Sequence, residues 1–477
     1  MDAPDGHPRE GGGPFAAARE VTRRGFAEFL AVPTGIIAGF VLLAVGTYLL
    51  DRADLGWLRP FRRLMLAHVF GSPQATASLL GTVASSVITV TSITFSLLLL
   101  AVQQSAATLT SQVYDQFLRR RLNQAYFGVF IGLALYALII LATVNPPFNP
   151  VYSATIVLLF TISALYLLLL LLYTTINQMR PAVVIEAIHD HTLAARRRQL
   201  DLLRRTRRAP GAGGPAVATV TAERRGFVTR IDPDAIATAV GQAGGTAEVA
   251  LLVSIGAYVA YRDTIAEVRT ATPGAAGRIA DATRAAIQIE RQRDLDSDPA
   301  YGIEQLTIIA WTSISTAKSN PAPGLLAIRM LRDLLAYWTA EEEAGPAPDG
   351  RPPAPVVYAD NLLDELLDSF ESLAVVASES MQHQSLAGIL RTLAITFDRL
   401  APAQQRRAED LIRRSLSALG EHVLTAELDA AITRLVGALL AAGRFDTAAL
   451  LEAARAELGA SVGRLNSRST RASVRGA

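Results

Sequence analysis

The chain lacks cysteine entirely, and Lys318 is its single lysine, since its other strongly basic side chains are all arginine. The absence of cysteine excludes disulfide bonds, thiolate metal sites, iron–sulfur clusters and cysteine nucleophiles. A phosphate-loop lysine, a Schiff base or a biotinyl or lipoyl attachment would have to use position 318. Most of the common catalytic classes are therefore disfavoured.

Charge is also scarce, since 18% of the residues are charged, against roughly a quarter in ordinary soluble proteins. The formal net charge is +2, whereas a nucleic-acid-binding domain would be strongly basic. We therefore expect no nucleic-acid partner. The length of 477 residues exceeds one compact core and predicts two or three structural units.

Two long segments, 64–114 and 122–179, contain no aspartate, glutamate, lysine or arginine. A soluble helix would carry charged residues on its outer face at such lengths. Four apolar stretches reach the roughly 20 residues that cross a hydrocarbon core, and they cover residues 29–50, 76–102, 126–144 and 152–173. The sequence thus predicts a transmembrane domain at 26–178, preceded by a disordered tail at 1–25.

The distribution of arginines predicts the orientation of the spans, because basic residues concentrate on the cytoplasmic side. Arginines occur before the first span, between the second and third spans and after the fourth, whereas the connection 145–151 has none. Four arginines in the first loop run against this pattern, and an interfacial amphipathic helix would accommodate them. We therefore predict a multi-pass protein of the bacterial inner membrane with both termini in the cytoplasm.

The second span begins at Ser72-Pro73, an N-cap followed by a first-turn proline, and its helical pattern continues to about Arg121. Such a helix would measure roughly 70 Å at 1.5 Å per residue and would project beyond the bilayer. Hydroxyl side chains recur along it at spacings of four and three, which places them on one helix face. Together with one glutamine they form the hydroxyl stripe: Ser78, Thr82, Ser85, Thr89, Ser92, Ser96 and Gln103.

Hydroxyl groups inside a hydrocarbon layer need partners, and two interpretations of the stripe stay open. In the first, the stripe packs against other transmembrane helices, because small and hydroxylated residues let helices approach closely. In the second, several copies of the helix present it to a central column of water, as channel linings do. Arg119, Arg120 and Arg121 would then surround the cytoplasmic mouth and favour anions.

Two Gly-x-x-x-Gly pairs predict close helix contacts, Gly35 with Gly39 in the first span and Gly128 with Gly132 in the third. The predicted spans contain no charged side chain of the kind that ion-coupled carriers use. Discontinuous spans and inverted repeats are not visible either. These patterns disfavour a secondary transporter.

Residues 179–215 predict an amphipathic connecting helix that ends in a glycine–proline linker. Its arginines would suit anionic lipid headgroups, and they stand at positions 196–198, 204, 205, 207 and 208. Glu186, His189, Asp190 and His191 are possible metal ligands. A solvated helix face explains these four residues better, because no further ligand set lies nearby in the sequence.

After the linker the helical spacing of apolar residues gives way to short β-branched runs, which predicts a small β module at 216–270. Its β-branched runs occupy 217–221, 226–231, 247–253 and 264–268, and a helix is predicted at 232–240. The segment Val253-Ser-Ile-Gly-Ala-Tyr-Val resembles the strand–turn–strand of a barrel-sandwich, lipoyl-like fold. Those domains carry a modified lysine, which this segment lacks, so we interpret it as a structural or partner-docking module.

Helical patterns return in the segment 271–340, where helices are predicted at 276–291, 303–316 and 324–338. A proline-rich linker at 341–355 precedes a C-terminal helical domain at 356–460 with four or five amphipathic helices, and the tail 461–477 is predicted to be disordered. The predicted fold class is mostly α, with a four-helix transmembrane region, a small β-rich module and a C-terminal α-helical domain.

No catalytic constellation can be assembled from these residues. The histidines lie in no metalloprotease or hydrolase motif. Asp294, Asp296 and Asp298 alternate like cation ligands but lack the glycine and distal glutamate of a calcium loop. A solvated acidic turn that caps the next helix is favoured. We therefore expect no enzymatic activity, cofactor or metal.

Several motifs of the chain resemble one family of bacterial membrane proteins, domain-of-unknown-function family 2254, over about residues 25–400. The motifs are Thr91-Ser-Ile-Thr-Phe-Ser, Val102-Gln-Gln-Ser, Asn123-Gln, Gly128-Val-Phe-Ile-Gly, Gly226-Phe-Val-Thr-Arg-Ile-Asp, Ile255-Gly-Ala-Tyr-Val, Asp298-Pro-Ala-Tyr-Gly-Ile-Glu-Gln-Leu, Ile309-Ala and Asn320-Pro. The chain departs from the family's usual Ser-Pro…Asn-Asp-Pro at Ser315-Thr-Ala-Lys-Ser-Asn-Pro. The resemblance implies an inner-membrane protein with a cytoplasmic body, and it brings no established activity and no catalytic residues.

These patterns favour a homo-oligomeric channel whose second span lines the path and whose cytoplasmic domain assembles or gates it. The expected partners are the lipid bilayer, further copies of the chain, and anionic headgroups or small ions. The alternative is a non-conducting scaffold or sensor that recruits cytoplasmic partners. The two hypotheses differ in whether the hydroxyl stripe contacts water.

Overall fold

The computed structural model describes residues 30–53, 56–108, 121–178, 180–211, 215–243, 247–315, 320–341, 353–419 and 422–460. The predictions for the two tails, for most of the linker at 341–355 and for Arg119 and Arg120 lie outside these residues. The chain divides into two compact units, an N-terminal unit, Met1–Arg180, and a C-terminal unit, Pro181–Ala477.

The described part of the N-terminal unit consists of helices joined by short connections. They are α1 (Ala31–Arg52), α2 (Arg59–His68), α3 (Pro73–Thr108), α4 (Arg121–Thr143) and α5 (Val151–Gln178). Four of them, α1, α3, α4 and α5, are long and apolar enough to cross a membrane, which confirms the four predicted spans. The short helix α2 lies where an interfacial helix was expected, and none of its residues is fully buried.

Helix α3 begins as its sequence predicts. The Oγ atom of Ser72 accepts a hydrogen bond from the backbone N–H of Ala75 at 3.2 Å, and Pro73 is the first helical residue. The helix contains 36 residues, which at 1.5 Å per residue is about 54 Å and exceeds a hydrocarbon core of about 30 Å. Its expected continuation toward Arg121 crosses residues 109–120, which lie outside the described ranges.

Helix α4 forms the centre of the N-terminal unit. Of its apolar segment, 56% is buried, against 22% in α1 and 17% in each of α3 and α5. Leu133, Tyr136 and Ile140 are fully buried in the core that α4 shares with α1, α3 and α5. The three outer helices therefore each keep a broad face that no described part of this unit covers.

The C-terminal unit begins with α6 (Pro181–Arg205), whose buried face includes Ile185, Ile188 and Thr192. The β module follows with strands β1 (Ala216–Thr221), β2 (Gly226–Ile231), β3 (Ala247–Leu251), β4 (Tyr258–Val259) and β5 (Thr264–Thr270), and with helix α7 (Pro233–Gln242) between β2 and β3. With two later strands, β6 (Ile287–Glu290) and β7 (Val356–Val357), these strands form two sheets, in the orders β1-β5-β3-β7 and β4-β2-β6. Val228 and Val268 lie in the common core of the two sheets.

The β module is larger than the predicted range of 216–270. The helix expected at 276–291 ends early, as α8 (Pro273–Ala286), and strand β6 (Ile287–Glu290) follows and pairs antiparallel with β2. The prediction of helix there was wrong, because the side chains of β6 alternate between buried and exposed with the period of a strand. Strand β7 (Val356–Val357) lies in the predicted C-terminal domain and pairs parallel with β3.

The rest of the C-terminal unit is helical, which confirms the predicted fold class. Its helices are α9 (Pro299–Ser315), α10 (Ala322–Glu341), α11 (Leu362–Glu379), α12 (His383–Thr396), α13 (Pro402–Leu419), α14 (Ala426–Ala441) and α15 (Phe445–Ala460). Helices α9 and α10 pack on α6. In the bundle that follows, α11 packs on α12 and α13, α12 packs on α14, and α15 packs on α13 and α14. Among the described residues, five helices follow the linker, at the upper end of the four or five expected.

Candidate functional site

All seven residues of the hydroxyl stripe are exposed on the surface of α3. At 3.6 residues per turn they fall within an arc of about 80°. The buried positions of the same helix, which include Leu80, Ala84, Val87 and Leu98, centre about 180° away by the same geometry. The stripe therefore faces away from the helices that pack against α3 in the N-terminal unit.

The stripe satisfies much of its hydrogen-bonding capacity on its own helix. The Oγ1 atoms of Thr82 and Thr89 donate to the backbone carbonyls of Ser78 and Ser85, each at 2.8 Å. The Oγ atom of Ser96 donates in the same way to the carbonyl of Ser92 at 2.9 Å. Each of these hydroxyl oxygens keeps acceptor lone pairs on the outer surface of the helix.

An apolar groove of about 450 Å³ adjoins one flank of the stripe, between α1, α3 and α4. Its walls include Phe95, Phe130 and Leu135, and Ser92 of the stripe lies at its edge. The exposed surface of α3 is thus divided into an apolar flank and a polar row. This division gives the helix two chemically different contact surfaces.

The two Gly-x-x-x-Gly pairs have different surroundings. A Cβ atom at Gly128 would lie 3.0 Å from the Cβ atom of Ile36, and one at Gly132 would overlap the ring of Phe40. These two glycines therefore allow α4 to approach α1 closely. A Cβ atom at Gly35 or Gly39 would meet no atom of the described residues within 4 Å, so these residues leave that face of α1 open.

Arg121, the one residue of the expected arginine cluster that is described, is the first residue of α4 and is exposed. The arginines expected to meet lipid headgroups are partly engaged elsewhere. Arg196 is buried and donates to a carboxylate oxygen of Asp360 at 2.7 Å. Arg207 lies 3.3 Å from a carboxylate oxygen of Glu248. These contacts connect α6 and the segment after it to other parts of the C-terminal unit.

Sequence reasoning missed a buried carboxylate at the end of the first span. Asp51 is 3% exposed, and its two oxygens accept hydrogen bonds from the backbone N–H groups of Tyr152 and Ser153, each at 2.9 Å. The hydroxyl of Tyr136 lies nearby in the same polar cluster, 3.0 Å from Oγ1 of Thr47. Asp51 thus caps the N-terminus of α5 from another helix. Its position beside Arg52 in the sequence resembles an ordinary interfacial residue, and no local pattern connects it to α5.

In the C-terminal unit, two of the motifs that carry the family resemblance meet at one ion pair. Nε of Arg293 donates to Oδ2 of Asp298 at 2.6 Å, and the guanidinium lies 4.8 Å from the ring centre of Tyr301. Gly256, from the Ile255-Gly-Ala-Tyr-Val motif, approaches so closely that a Cβ atom there would lie 2.6 Å from both oxygens of Asp298. The backbone at Gly256 has a φ of +89°, which favours glycine. This cluster joins the β module to α9.

The ion pair also affects two pKa values, that of Arg293 itself and that of the neighbouring Glu365. Burial alone would lower the pKa of Arg293, but its hydrogen bond to Asp298 and the charge of that carboxylate raise it above the ordinary value. Burial raises the pKa of Glu365, although the positive charge of Arg293 partly offsets that effect. The cluster therefore holds Arg293 firmly charged while it disfavours a second ionised carboxylate at Glu365.

The two histidines among the candidate metal ligands of α6 have different carboxylate partners on other segments, and Nδ1 of His189 also lies 3.3 Å from Oδ1 of Asp190, another of these candidates. Nε2 of His189 lies 2.9 Å from a carboxylate oxygen of Asp333, and Nδ1 of His191 lies 2.7 Å from one of Asp296. Asp298 accepts a hydrogen bond from the backbone N–H of Tyr301 and caps α9, as the sequence predicted. The expectation of a solvated turn was wrong for Asp298, which is 2% exposed because its carboxylate pairs with Arg293. Within the described ranges, no group of three or more acidic, histidine or cysteine residues has the spacing to hold a metal ion.

A family described as predicted membrane protein (DUF2254) matches residues 27–385, well over half of the chain. No curated protein and no solved structure matches the chain. The matched range includes the four apolar helices, the β module and the Arg293–Asp298 cluster. The resemblance found in the sequence motifs is therefore confirmed, and the chain belongs to the DUF2254 family of predicted membrane proteins.

Proposed function

We propose that this membrane protein is a homo-oligomeric channel of the bacterial inner membrane, with both termini in the cytoplasm. In this proposal α3 of each copy lines the conducting path with its hydroxyl stripe, and the C-terminal unit assembles or gates the channel. The observation that carries the proposal is the placement of the stripe: all seven side chains are exposed, on the side of α3 opposite to its packed face.

The physical argument concerns the surroundings of the stripe in the bilayer. Hydroxyl oxygens that face lipid tails have no partner for their remaining lone pairs, whereas water or another polar helix supplies one. One copy of the chain cannot enclose a path on this side of α3, because its described helices pack on the other side. Several copies, arranged around an axis, would enclose the stripes and remove them from lipid.

The charge near one end of the path would select the permeant ion. Arg121 stands at the start of α4, and Arg119 and Arg120 precede it in the chain. In an oligomer these residues repeat once per copy, and a ring of arginines favours anions. We therefore propose a preference for small anions.

A single-cysteine scan tests the proposal, because the natural chain has no cysteine to contribute background. Ser85→Cys, Thr89→Cys and Ser92→Cys probe the stripe. Leu97→Cys probes an exposed position about 100° from the centre of the stripe, and Ala84→Cys probes the packed face. Membrane vesicles are treated with a charged, water-soluble thiol reagent, and ion flux is recorded before and after treatment.

The proposal expects rapid labelling at the three stripe positions, slow labelling at 84 and 97, and a change in ion flux that accompanies labelling of the stripe alone. Equal protection of the stripe and of position 97, in vesicles that show no flux, would contradict a channel.

A second candidate is a non-conducting scaffold or sensor that recruits cytoplasmic partners. It is favoured by the hydrogen bonds of Thr82, Thr89 and Ser96 to their own helix, since such hydroxyls can face other helices without water. The same cysteines distinguish it. A scaffold would form disulfide crosslinks between copies at the stripe, while the stripe stays protected from the charged reagent.

A further inference from the structure

Three helices of the C-terminal unit, α10, α12 and α14, surround a pocket of about 180 Å³. Arg329 and Arg332 line it from α10, Gln384 and Arg391 from α12, and Glu427 from α14. The pocket contains three guanidinium groups and one carboxylate, so its lining carries two more positive charges than negative ones. This arrangement has no role in the proposed conducting path, and the inference drawn from it does not depend on conduction.

The arginines of the pocket differ in their partners. Arg391 donates to Oε1 of Glu427 at 3.1 Å. Arg329 and Arg332 lie three residues apart, on one face of α10, and neither forms an ion pair with a residue in the described part of the chain. Several other arginines of this unit face carboxylates directly, as Arg455 faces Asp429 at 2.7 Å. Within the described ranges, the pocket thus holds two cations without a counter-charge.

A second arginine-rich pocket of the same unit differs, because acidic side chains stand beside its arginines. It lies between α6, the end of β2 and the start of α7, and its four arginines stand beside three aspartates: Arg205 pairs with Asp234, and Arg204 lies 3.8 Å from Asp201. Added anions would compete there with existing carboxylates. In the pocket at Arg329 and Arg332 they would meet positive charge directly.

We propose that the pocket between α10, α12 and α14 binds a phosphoryl group. A guanidinium presents parallel N–H donors that match phosphate oxygens, and a phosphomonoester near neutral pH carries close to two negative charges, which would balance Arg329 and Arg332. The volume is below the range of about 300–1,000 Å³ that encloses whole small-molecule ligands. The pocket would therefore hold the phosphoryl end, and the rest of the ligand would extend outside.

The test uses the full chain in nanodiscs of phosphatidylcholine, titrated by calorimetry with inorganic phosphate and with dioctanoyl phosphatidic acid, whose headgroup is a phosphomonoester. The first probe represents a soluble phosphate and the second a lipid headgroup. The variants are Arg329→Gln, Arg332→Gln and Glu427→Gln. Arg434→Gln is the matched control, since Arg434 is an exposed arginine of α14 outside the pocket lining.

The natural protein is expected to bind phosphate saturably. Arg329→Gln and Arg332→Gln should each raise the dissociation constant by about 10- to 100-fold, because the loss of a hydrogen bond between charged groups has an effect of that size. Glu427→Gln should bind more tightly, because it removes the one carboxylate and releases Arg391. Arg434→Gln should bind normally. Tighter binding of the phosphatidic acid than of phosphate would identify a lipid headgroup as the source, and the reverse a soluble ligand. Absence of saturable binding, or equal binding by all variants, would overturn the proposal.

Discussion

Asp51 and Ser153, which are 102 positions apart in the sequence, form two hydrogen bonds in the N-terminal unit. The Asp51 carboxylate accepts one from the backbone N–H of Ser153 at 2.9 Å and one from its Oγ at 2.5 Å. Because Ser153 lies in the first turn of α5, the carboxylate compensates N–H groups that a helix N-terminus leaves without helical partners. The end of α1 thereby determines where α5 begins.

We predict that Asp51→Ala lowers the thermal unfolding midpoint of the detergent-solubilised protein. The substitution leaves the buried N–H groups of Tyr152 and Ser153 without an acceptor, at a cost of about 1–3 kcal/mol for each. Asp51→Asn, which keeps one acceptor oxygen, should lie between Asp51→Ala and the natural protein. Leu49→Ala, at an exposed position of the same helix, is the control. A midpoint for Asp51→Ala equal to that of the control would argue against the capping role.

The close contact of α1 and α4 predicts a contrast between two glycines. Gly132→Ala should destabilise the N-terminal unit by about 1–3 kcal/mol, because the added methyl group overlaps the ring of Phe40 and forces the helices apart. Gly39→Ala should leave stability unchanged or slightly higher, since its Cβ would meet nothing within 4 Å in this chain. Unfolding in detergent, together with the oligomer size from light scattering, checks both. Loss of an oligomer in Gly39→Ala alone would place that face against another copy.

The buried ion pair of the C-terminal unit predicts a large effect of a small change. Asp298→Asn keeps the cap of α9 but removes one of the two carboxylate charges that face Arg293, which keeps its pair with Glu304. The expected loss therefore lies at the lower end of the roughly 3–5 kcal/mol that breaking a buried pair costs. Asp296→Asn, in the same turn, should cost less than about 1 kcal/mol, because an exposed pair contributes little; both members of the Asp296–His191 pair are about half exposed. Denaturant unfolding followed by far-ultraviolet circular dichroism compares the two. Similar losses for both variants would contradict a special role for Asp298.

Two histidines predict a dependence of stability on pH. Nδ1 of His383 lies 2.7 Å from Nδ1 of His422, so one ring donates to the other while the acceptor is neutral. Burial lowers the pKa of His383 below its ordinary value, and the unfolded chain therefore takes up the proton first as the pH falls below about 6.5. The stability contributed by neutral His383 is present above that pH and is lost as the pH falls through the lower folded pKa.

The measurement compares unfolding of the natural protein and of His383→Asn from neutral pH to about pH 5, the range in which histidine titrates. The natural protein should lose stability over this range more steeply than the variant. The raised pKa of Glu365 acts in the opposite sense at lower pH, so the difference between the two proteins isolates His383. His68→Asn, which removes an exposed histidine, should follow the natural protein; equal slopes for all three would refute the prediction.

The four apolar helices could be predicted because a bilayer requires spans of a certain length and excludes charged side chains from them. The first predicted span, 29–50, corresponds to helix Ala31–Arg52 in the structure. The face of the hydroxyl stripe followed from the helical period alone. Its exposure could not be predicted, because the packed face of α3 depends on α4, whose position relative to α3 no local pattern specifies. For the same reason Gly128 and Gly132 were not distinguishable from Gly35 and Gly39.

The features that were predicted wrongly or missed are short elements and single residues whose contacts lie far away in the sequence. Ile287–Glu290 follows an alanine-rich helix and was included in it, although its alternating pattern is that of a strand. Strand β7 has two residues, too few for any periodicity. Asp51 was missed because its capping role depends on its contacts with α5. The arginine pocket was missed because its residues come from three separate helices.

The parallel pairing of β7 with β3 also has a consequence for synthesis on the ribosome. Strand β3 ends at Leu251 and β7 begins at Val356, so the four-stranded sheet stays incomplete while about a hundred residues are added. At about 5–20 residues per second this takes on the order of 5–20 s. During that interval the edge of β3 that later receives β7 is unpaired, and such an edge can pair with other chains. Nascent copies of this protein are therefore exposed to mispairing after the membrane helices have emerged and before the C-terminal helices are made.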